Sequence, residues 1–494
     1  MSIDSINLAE TLRKEVSAGL IASRKAGLGQ FMTPASVAKF MASLFPPANM
    51  PECILLDAGA GIGGLTSAFI ERCSTDGGLT FKKVRLDAYE IDASLRKHLE
   101  RTLSSYASGS PIEVCIHSGD FIEAAALQNL SPGRYTHAIL NPPYKKINND
   151  SLHRQILRQV GIETVNLYTA FVALALDRMQ QGGQVVAIIP RSFCNGPYYK
   201  PFREFVLKRA SICHLHLFDS RSKAFKDDDV LQENVIIRLE RGGIQGRVQV
   251  SHSTDDRFAD LTIHECAFEQ IVFPEDIERF IHIPSSAEQD ALKQAPSIQH
   301  SLRGLNVEVS TGPIVDFRLC DFIEESPCDG CVPLLYPGHF EGLSTHWPKE
   351  GIKRGNAIRL CRETEKWMYP NGFFTVVRRF SSKEEARRIV ASVVRPDSFP
   401  GAAKLGFENH LNVFHHGKRG LPELFAYGLA VYLNSTIVDQ SFRRFNGHTQ
   451  VNATDLRMMK YPDQDALTTL GAWAKQQENL TQEIIDFRVK KLLE

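Results

Sequence analysis

The stretch Cys53-Ile54-Leu55-Leu56-Asp57-Ala58-Gly59-Ala60-Gly61-Ile62-Gly63-Gly64-Leu65 begins as a short apolar strand, passes through a glycine turn and enters a helix that the pattern carries through Ile70. Glycine lets the backbone turn tightly and approach a ligand closely, and the N-terminus of the following helix presents N–H groups that lack partners within the helix. Gly59, Gly61 and Gly64 also match the spacing of a dinucleotide-binding turn, a pattern that several nucleoside-cofactor families share.

Outward from this unit the same grammar repeats. A second strand, Val84 to Tyr89, ends at Glu90, a carboxylate suited to accept from the two hydroxyls of a ribose. A third, Ile112 to Ile116, runs into Asp120 and Phe121, an acceptor for an amino group and a ring to pack on a base. A fourth, Thr136 to Leu140, is followed by Asn141-Pro142-Pro143-Tyr144. Two prolines fix two φ angles and remove two donors, so the Pro142 carbonyl is stiffly placed between an amide and an aromatic ring. Such a group of acceptors beside a ring suits a planar conjugated amine. Upstream, Thr33 reads as a helix N-cap and Pro34 as the first helical residue.

A helix over Leu167 to Met179, a buried strand over Gln184 to Pro190 and a closing strand pair, Leu215 to Phe218 and Asn234 to Leu239, complete the alternation. The fold expected for 29–240 is α/β, a doubly wound Rossmann-like sheet with ligands at the carboxyl ends of its strands. Residues 1–28 read as an N-terminal helical segment, with Leu8, Leu12, Val16 and Leu20 at helical spacing, and 463–494 as an amphipathic C-terminal helix. Between them, from 241 to 462, the chain turns irregular and strand-like, as expected of a separate mixed α+β domain.

Formal net charge is zero, but the charge is unevenly spread: from Lys353 to Lys460 there are about 18 Lys or Arg against about 9 Asp or Glu. Aromatic residues interleave with this excess at Phe373 to Phe380 and at Phe442-Arg443-Arg444-Phe445, as a surface that contacts a nucleic-acid backbone and stacks on bases requires. Arg443, Arg444, His448, Gln450, Asn452 and Arg457 lie in what reads as one polar loop and carry the donors and acceptors needed to read base edges; a solvated loop has the same composition. Phe225 sits in a charged loop with no evident core to enter. The ten cysteines form no disulfide framework, and Cys328-Asp329-Gly330-Cys331 lacks a second ligand pair at zinc spacing, so no metal is expected. No apolar run approaches the roughly 20 residues of a membrane span and no leader-like pattern opens the chain, so a soluble cytoplasmic protein is expected.

The ordered set Thr33-Pro34, Asp57 to Gly64, Glu90, Asp120-Phe121, Asn141 to Tyr144 and Phe225 resembles the S-adenosylmethionine-dependent adenine-N6 DNA methyltransferases of the gamma arrangement, TaqI type. The C-terminal part is similar to the PstI and BsuBI subgroup of type II restriction-modification systems. The resemblance implies a methyltransferase domain followed by a target-recognition domain. Thr33 would lie at the methionine end of S-adenosylmethionine, and Asp57, Ala58, Gly59 and Gly61 against its amino-acid and ribose portion. Glu90 would hold the ribose, and Asp120 and Phe121 the adenine. Asn141, Pro142, Pro143 and Tyr144 would form the catalytic loop, with Tyr144 and Phe225 stacking on a flipped target adenine. It further implies double-stranded DNA as substrate, a cognate restriction endonuclease as functional partner and a monomeric enzyme. Where the family commonly has an Asp-Pro-Ala-Cys-Gly type motif, this chain has Asp57-Ala58-Gly59-Ala60-Gly61, which keeps the glycine turn.

Two other readings use the same residues. A glutamine-N5 protein methyltransferase acts on a planar amide and shares the Asn141 to Tyr144 site, but leaves the basic C-terminal half without a role. A nicotinamide oxidoreductase accounts for the glycines and Glu90 and not for Asn141 to Tyr144.

Overall fold

Strand β1 (Ala48–Ala58) leaves the sheet at Gly59 and re-enters regular structure as a helix at Gly64 in the computed structural model. The structure describes residues 5–19, 32–74, 78–107, 111–127, 131–218, 233–274, 276–284, 296–352, 355–381, 385–445 and 450–492. They divide into two compact units, Met1–Ala287 and Glu288–Glu494.

The first unit is built on β1, β2 (Leu79–Tyr89), β3 (Ile112–His117), β4 (Tyr135–Leu140), β5 (Met179–Pro190), β6 (Ala210–Phe218), β7 (Asn234–Arg241), β8 (Arg247–Ser253) and β9 (Thr262–Ala267). They form one sheet in the order β3-β2-β1-β4-β5-β7-β6-β8-β9. The first five are parallel, and β7 runs antiparallel between β5 and β6. Buried strands of this kind need apolar residues on both faces, and β4 and the last eight residues of β5 are buried throughout. The chain order reverses between β1 and β4, which places the ends of these two neighbouring strands, Ala58 and Leu140, beside a crevice.

Helices α1 (Ser5–Gly19), α2 (Ala35–Ser43), α3 (Gly64–Cys73), α4 (Ala93–Ala107), α5 (Phe121–Ala126), α6 (Leu152–Gln159), α7 (Leu167–Arg178) and α8 (Lys200–Arg209) belong to this unit. They cover two separate cores, one containing α7 with Leu140 and Ala187, the other containing α2 and α3 with Ile139 and Val186. Consecutive residues of a strand point to opposite faces, so these neighbours feed different cores, as a doubly wound sheet requires.

The boundary expected at 240/241 falls elsewhere. Val248 and Val250 lie in β8, which pairs parallel with β6, and β9 completes the hairpin, so the sheet holds the chain in the first unit through Ala267. Hydrogen bonding between strands distant in the chain decided this, and composition does not record it.

The second unit contains a six-stranded sheet in the order Glu308–Thr311, Leu411–His415, Phe374–Arg378, Ala391–Val394, Ser344–Thr345, Phe340–Glu341, and a smaller five-stranded sheet. Helix α9 (Glu423–Leu433) packs closely on α10 (Gln464–Lys475). A Cβ at Gly428 would stand 1.8 Å from the Leu467 carbonyl oxygen, and one at Gly471 would stand 1.7 Å from that of Leu424, so both positions require glycine. The single C-terminal helix expected over 463–494 is two, α10 and Gln482–Lys490, the second capped by Thr481. Phe442 to Phe445 lie in a helix, Thr436–Phe445, and not in a loop.

Candidate active site

A cavity of about 270 Å³ opens at the carboxyl ends of β1, β2 and β4. Its walls include Thr33, Gly59, Gly61, Glu90, Asp120, Phe121, Asn141 and Pro143, which the sequence places up to 110 residues apart. Gly59 and Gly61 have φ of +79° and +57°, the left-handed region where a side chain is strained, and a Cβ at Gly61 would meet nothing within 4 Å, so its backbone is bare toward open space.

Glu90 ties the turn together. One carboxylate oxygen accepts from the Gly61 N–H at 2.9 Å and the other from the Asp92 N–H at 2.8 Å. Burial raises its pKa above the ordinary value. Each carboxylate oxygen has a further lone pair for a donor in the cavity.

Asp120 caps α5. Its Oδ1 accepts from Ile122 N at 2.7 Å and Glu123 N at 3.2 Å, and its Oδ2 meets His153 Nε2 at 3.0 Å. The neighbouring imidazole and backbone donors outweigh its burial, and the Asp120 carboxyl is held below its usual range. The ring of Phe121 stands between Tyr89, at 5.3 Å between centroids, and Phe171, at 5.2 Å, and the residue is 2% exposed, so little of the ring is left to pack on a base.

Asn141 Nδ2 donates to Thr33 Oγ1 at 2.9 Å. This assigns the amide nitrogen to the protein. Thr33 does not cap α2, as expected from sequence: Pro34 occupies the N-cap position, and the Ala35 N–H finds its acceptor in Glu10 of α1 at 3.1 Å. Glu10 is in turn ion-paired with Arg13 at 2.8 Å, and Ile6, Ala9, Glu10 and Arg13 form one wall of the cavity. The helical spacing at the N-terminus predicted a helix and gave no sign that its buried face would line the site.

Asp57 and Ala58, expected against the cofactor, do not line the cavity. Both are fully buried; Asp57 Oδ2 accepts from Thr66 Oγ1 at 2.6 Å, and Oδ1 has no hydrogen-bond partner among the described residues. Burial pushes the Asp57 carboxyl up to about 7. Its place is beneath the turn, two residues before Gly59, the first of this stretch to line the cavity.

Tyr144 is half-buried; its hydroxyl donates to the Ile188 carbonyl at 3.3 Å, and its ring meets Tyr168 edge-on at 6.0 Å. Neither it nor Pro142 lines the cavity. Phe225, His448 and the side chain of Arg444 lie outside the described residues.

In the second unit the expected base-reading residues are largely committed to the fold. Arg443 pairs with Asp439 at 2.7 Å and donates to the Glu385 carbonyl. Arg457 donates to the Val309 carbonyl at 2.9 Å. Asn452 precedes a short helix, Ala453–Met458, and donates from its backbone N–H at 3.0 Å and its Nδ2 at 3.3 Å to Asp455 Oδ2, and Gln450 accepts from Arg379 at 3.3 Å. A separate cavity of about 480 Å³ is lined by Arg378, Phe380, Glu408 and His410. Phe380 is 40% exposed and tilted against His410 at 4.8 Å, a pairing that sequence distance concealed. Cys328 and Cys331 are joined by a disulfide, and no cluster of three or more metal-ligating side chains occurs among the described residues.

Residues 83–225 match the Eco57I restriction-modification methylase family. The type II methyltransferase M.BsuBI of Bacillus subtilis is 51% identical over 98% of both chains. The chain belongs to the type II methyltransferases of restriction-modification systems. M.PstI of Providencia stuartii, another member, is 41% identical over 94% of this chain and 92% of that one. Among solved structures, the type IIG restriction endonuclease BpuSI gives a TM-score of 0.45 at 13% identity, over 98% of this chain and 65% of that one. Membership sets aside the glutamine methyltransferase and the oxidoreductase.

Proposed function

We propose that this methyltransferase transfers a methyl group to N6 of an adenine swung out of duplex DNA, at a short recognition sequence read by the second unit. The observation that carries the proposal is the bond from Asn141 Nδ2 to Thr33, which fixes the amide at the cavity wall with Pro142 following it in the chain.

S-adenosylmethionine is the methyl donor, and the cavity fits it: a bare glycine turn, the Glu90 carboxylate and the Asp120 carboxylate line it, at the spacing of successive strand ends. When bound it supplies an electrophilic methyl on a sulfonium centre. The rest is positioning by the chain. An adenine amino nitrogen is a weak nucleophile because its lone pair is delocalised into the ring. The Asn141 oxygen and the Pro142 carbonyl accept its two hydrogens, draw the nitrogen toward tetrahedral geometry and localise that pair. Tyr144 stacks on the extruded base, and Phe225 is its proposed partner. No strong base is required, because fixed dipoles and orientation lower the barrier. A base inside a duplex is out of reach, and extruding it costs a few kcal/mol that contacts to the DNA backbone offset.

The second unit, with its excess of Lys and Arg, supplies those contacts. A cognate restriction endonuclease is the functional partner, protected host DNA the result, and a monomer acting on one strand at a time the working form; the cytoplasm is the compartment in which these meet. Among the described residues no helix is long and apolar enough to cross a membrane.

Asn141→Ala tests the reading. Methyl transfer to duplex DNA falls by roughly a thousandfold or more, while binding of the methyl donor stays within a few-fold. Wild-type rates in that variant, or label appearing at cytosine in digested DNA, overturn it.

A further inference from the structure

Asp120 carries two tasks at once. Its Oδ1 is occupied by the backbone of α5, and its Oδ2 is held by His153 Nε2 at 3.0 Å. His153 comes from another element, α6, whose start is fixed by Ser151: its Oγ accepts from Arg154 N at 3.3 Å. Arg154 and Arg158 of the same helix are both drawn to Glu163, so His153 is the residue of α6 that turns to Asp120. Both His153 and Asp120 line the cavity beside Gly119 and Phe121. Their side chains are 31% and 19% exposed, open enough for a ligand to reach and sheltered enough for one hydrogen bond to matter.

We propose that His153 is a positioning residue that makes Asp120 selective for the 6-amino group of the cofactor's purine. This inference rests on the reading of the cavity as the S-adenosylmethionine site. An ionised carboxylate is an acceptor only, whereas a protonated one also donates. With Oδ1 pinned by the backbone of α5, the His153 donor takes one Oδ2 lone pair and fixes the direction of the other toward the cavity. A purine amino group satisfies that lone pair. A 6-oxo purine brings a second acceptor to it and is rejected. Without His153 the Oδ2 lone pair is no longer directed, and the selection weakens. Neither the glycine turn nor Glu90 makes this choice, because neither is at the base.

The test is equilibrium binding of S-adenosylhomocysteine and of its 6-oxo counterpart, S-inosylhomocysteine, to the full chain. The wild type prefers the amino ligand by about a hundredfold. In His153→Leu the affinity for S-adenosylhomocysteine falls about tenfold and the preference for amino over oxo falls to about tenfold or less. His153→Gln, which keeps a donor in reach of Oδ2, retains the preference within about threefold. His153→Ala repeats the Leu result and serves if the Leu variant does not fold. A general loosening of the fold weakens both ligands equally and leaves the ratio alone. An unchanged ratio in the Leu or Ala variant overturns the inference while leaving the cofactor reading intact. Failure of the wild type to bind either nucleoside overturns the cofactor reading, and the inference with it.

Discussion

Asn141 and Thr33, 108 residues apart, are joined by a 2.9 Å hydrogen bond in which the asparagine amide nitrogen donates to the threonine hydroxyl. An asparagine amide presents a donor end and an acceptor end of nearly equal shape, and only its neighbours decide which way it faces. Thr33 is the partner of the nitrogen end here. Removing the hydroxyl takes that partner away and loosens the amide's orientation toward the target amino group. Thr33→Val therefore lowers the turnover number for DNA methylation roughly tenfold, the worth of one such bond. The affinity for S-adenosylmethionine changes less, and Thr33→Ser restores turnover. Steady-state kinetics with donor and DNA varied separately check this.

The Tyr144 ring and its hydroxyl have separable roles. Tyr144→Phe loses the bond to the Ile188 carbonyl, at a cost of about 1 kcal/mol in stability, and keeps base extrusion. Tyr144→Ala removes the ring and abolishes extrusion, as a fluorescent base analogue at the target position reports. Equal signals from the two variants would take the ring out of the site.

Asp57 makes the first unit less stable at neutral and higher pH. Its folded pKa, about 7, lies above the ordinary 3.8, so folding favours the protonated form. The penalty is absent below about pH 4 and grows as pH rises toward 7, to an upper bound on the order of 4 kcal/mol. Asp57→Asn removes it. Urea unfolding at pH 5 and pH 8 shows a smaller difference for the variant than for the wild type.

His214 and His216 act in the opposite direction. Ser251 Oγ lies 2.7 Å from His214 Nε2 and 2.8 Å from His216 Nδ1. A hydroxyl donates to one and accepts from the other, so both rings are bonded while neutral. Burial lowers their pKa values to about 4 and about 3. The unfolded chain takes up protons below about pH 6.5 while the folded one does not, so stability falls as pH drops from 6.5 toward 4. A His216→Leu variant has a flatter profile in acid urea titrations.

Arg443 is a structural residue. Asp439 accepts from Arg388 N, Ile389 N and Arg443 together. Arg443→Ala leaves that carboxylate short of its cation and lowers stability by about 1–3 kcal/mol without altering which DNA sequence is methylated. Phe380→Ala, at the exposed ring of the second cavity, weakens DNA binding with little effect on stability. Denaturant midpoints and methylation mapping separate the two outcomes.

What was legible in the sequence and what was not divides along one line. Alternating apolar runs and glycine turns are local signals, so the strands, their order along the chain and the residues at their ends could be read directly; Gly59, Gly61, Glu90, Asp120 and Asn141 do meet at one cavity. Asp57 and Ala58 are both buried at the end of β1, and the cavity begins at Gly59, where the chain leaves the strand, a boundary that composition does not mark. The bonds that Arg443, Arg457 and Asn452 make within the fold were not legible, because a polar side chain that binds a carbonyl or carboxylate has the same composition as one that reads DNA.

The sequence by itself determined the doubly wound sheet, the glycine turn and the amide-proline loop, since each follows from periodicity and from the backbone limits of glycine and proline. Only the tertiary structure decided that α1 walls the cavity, that β8 and β9 hold the chain in the first unit through Ala267, and that Thr33 orients Asn141 while His153 holds Asp120. The physical reason is that these are pairings between groups far apart in the chain. A hydrogen bond or a strand pair is chosen by which partners the packed core brings within about 3 Å, and no residue carries that distance in its own identity.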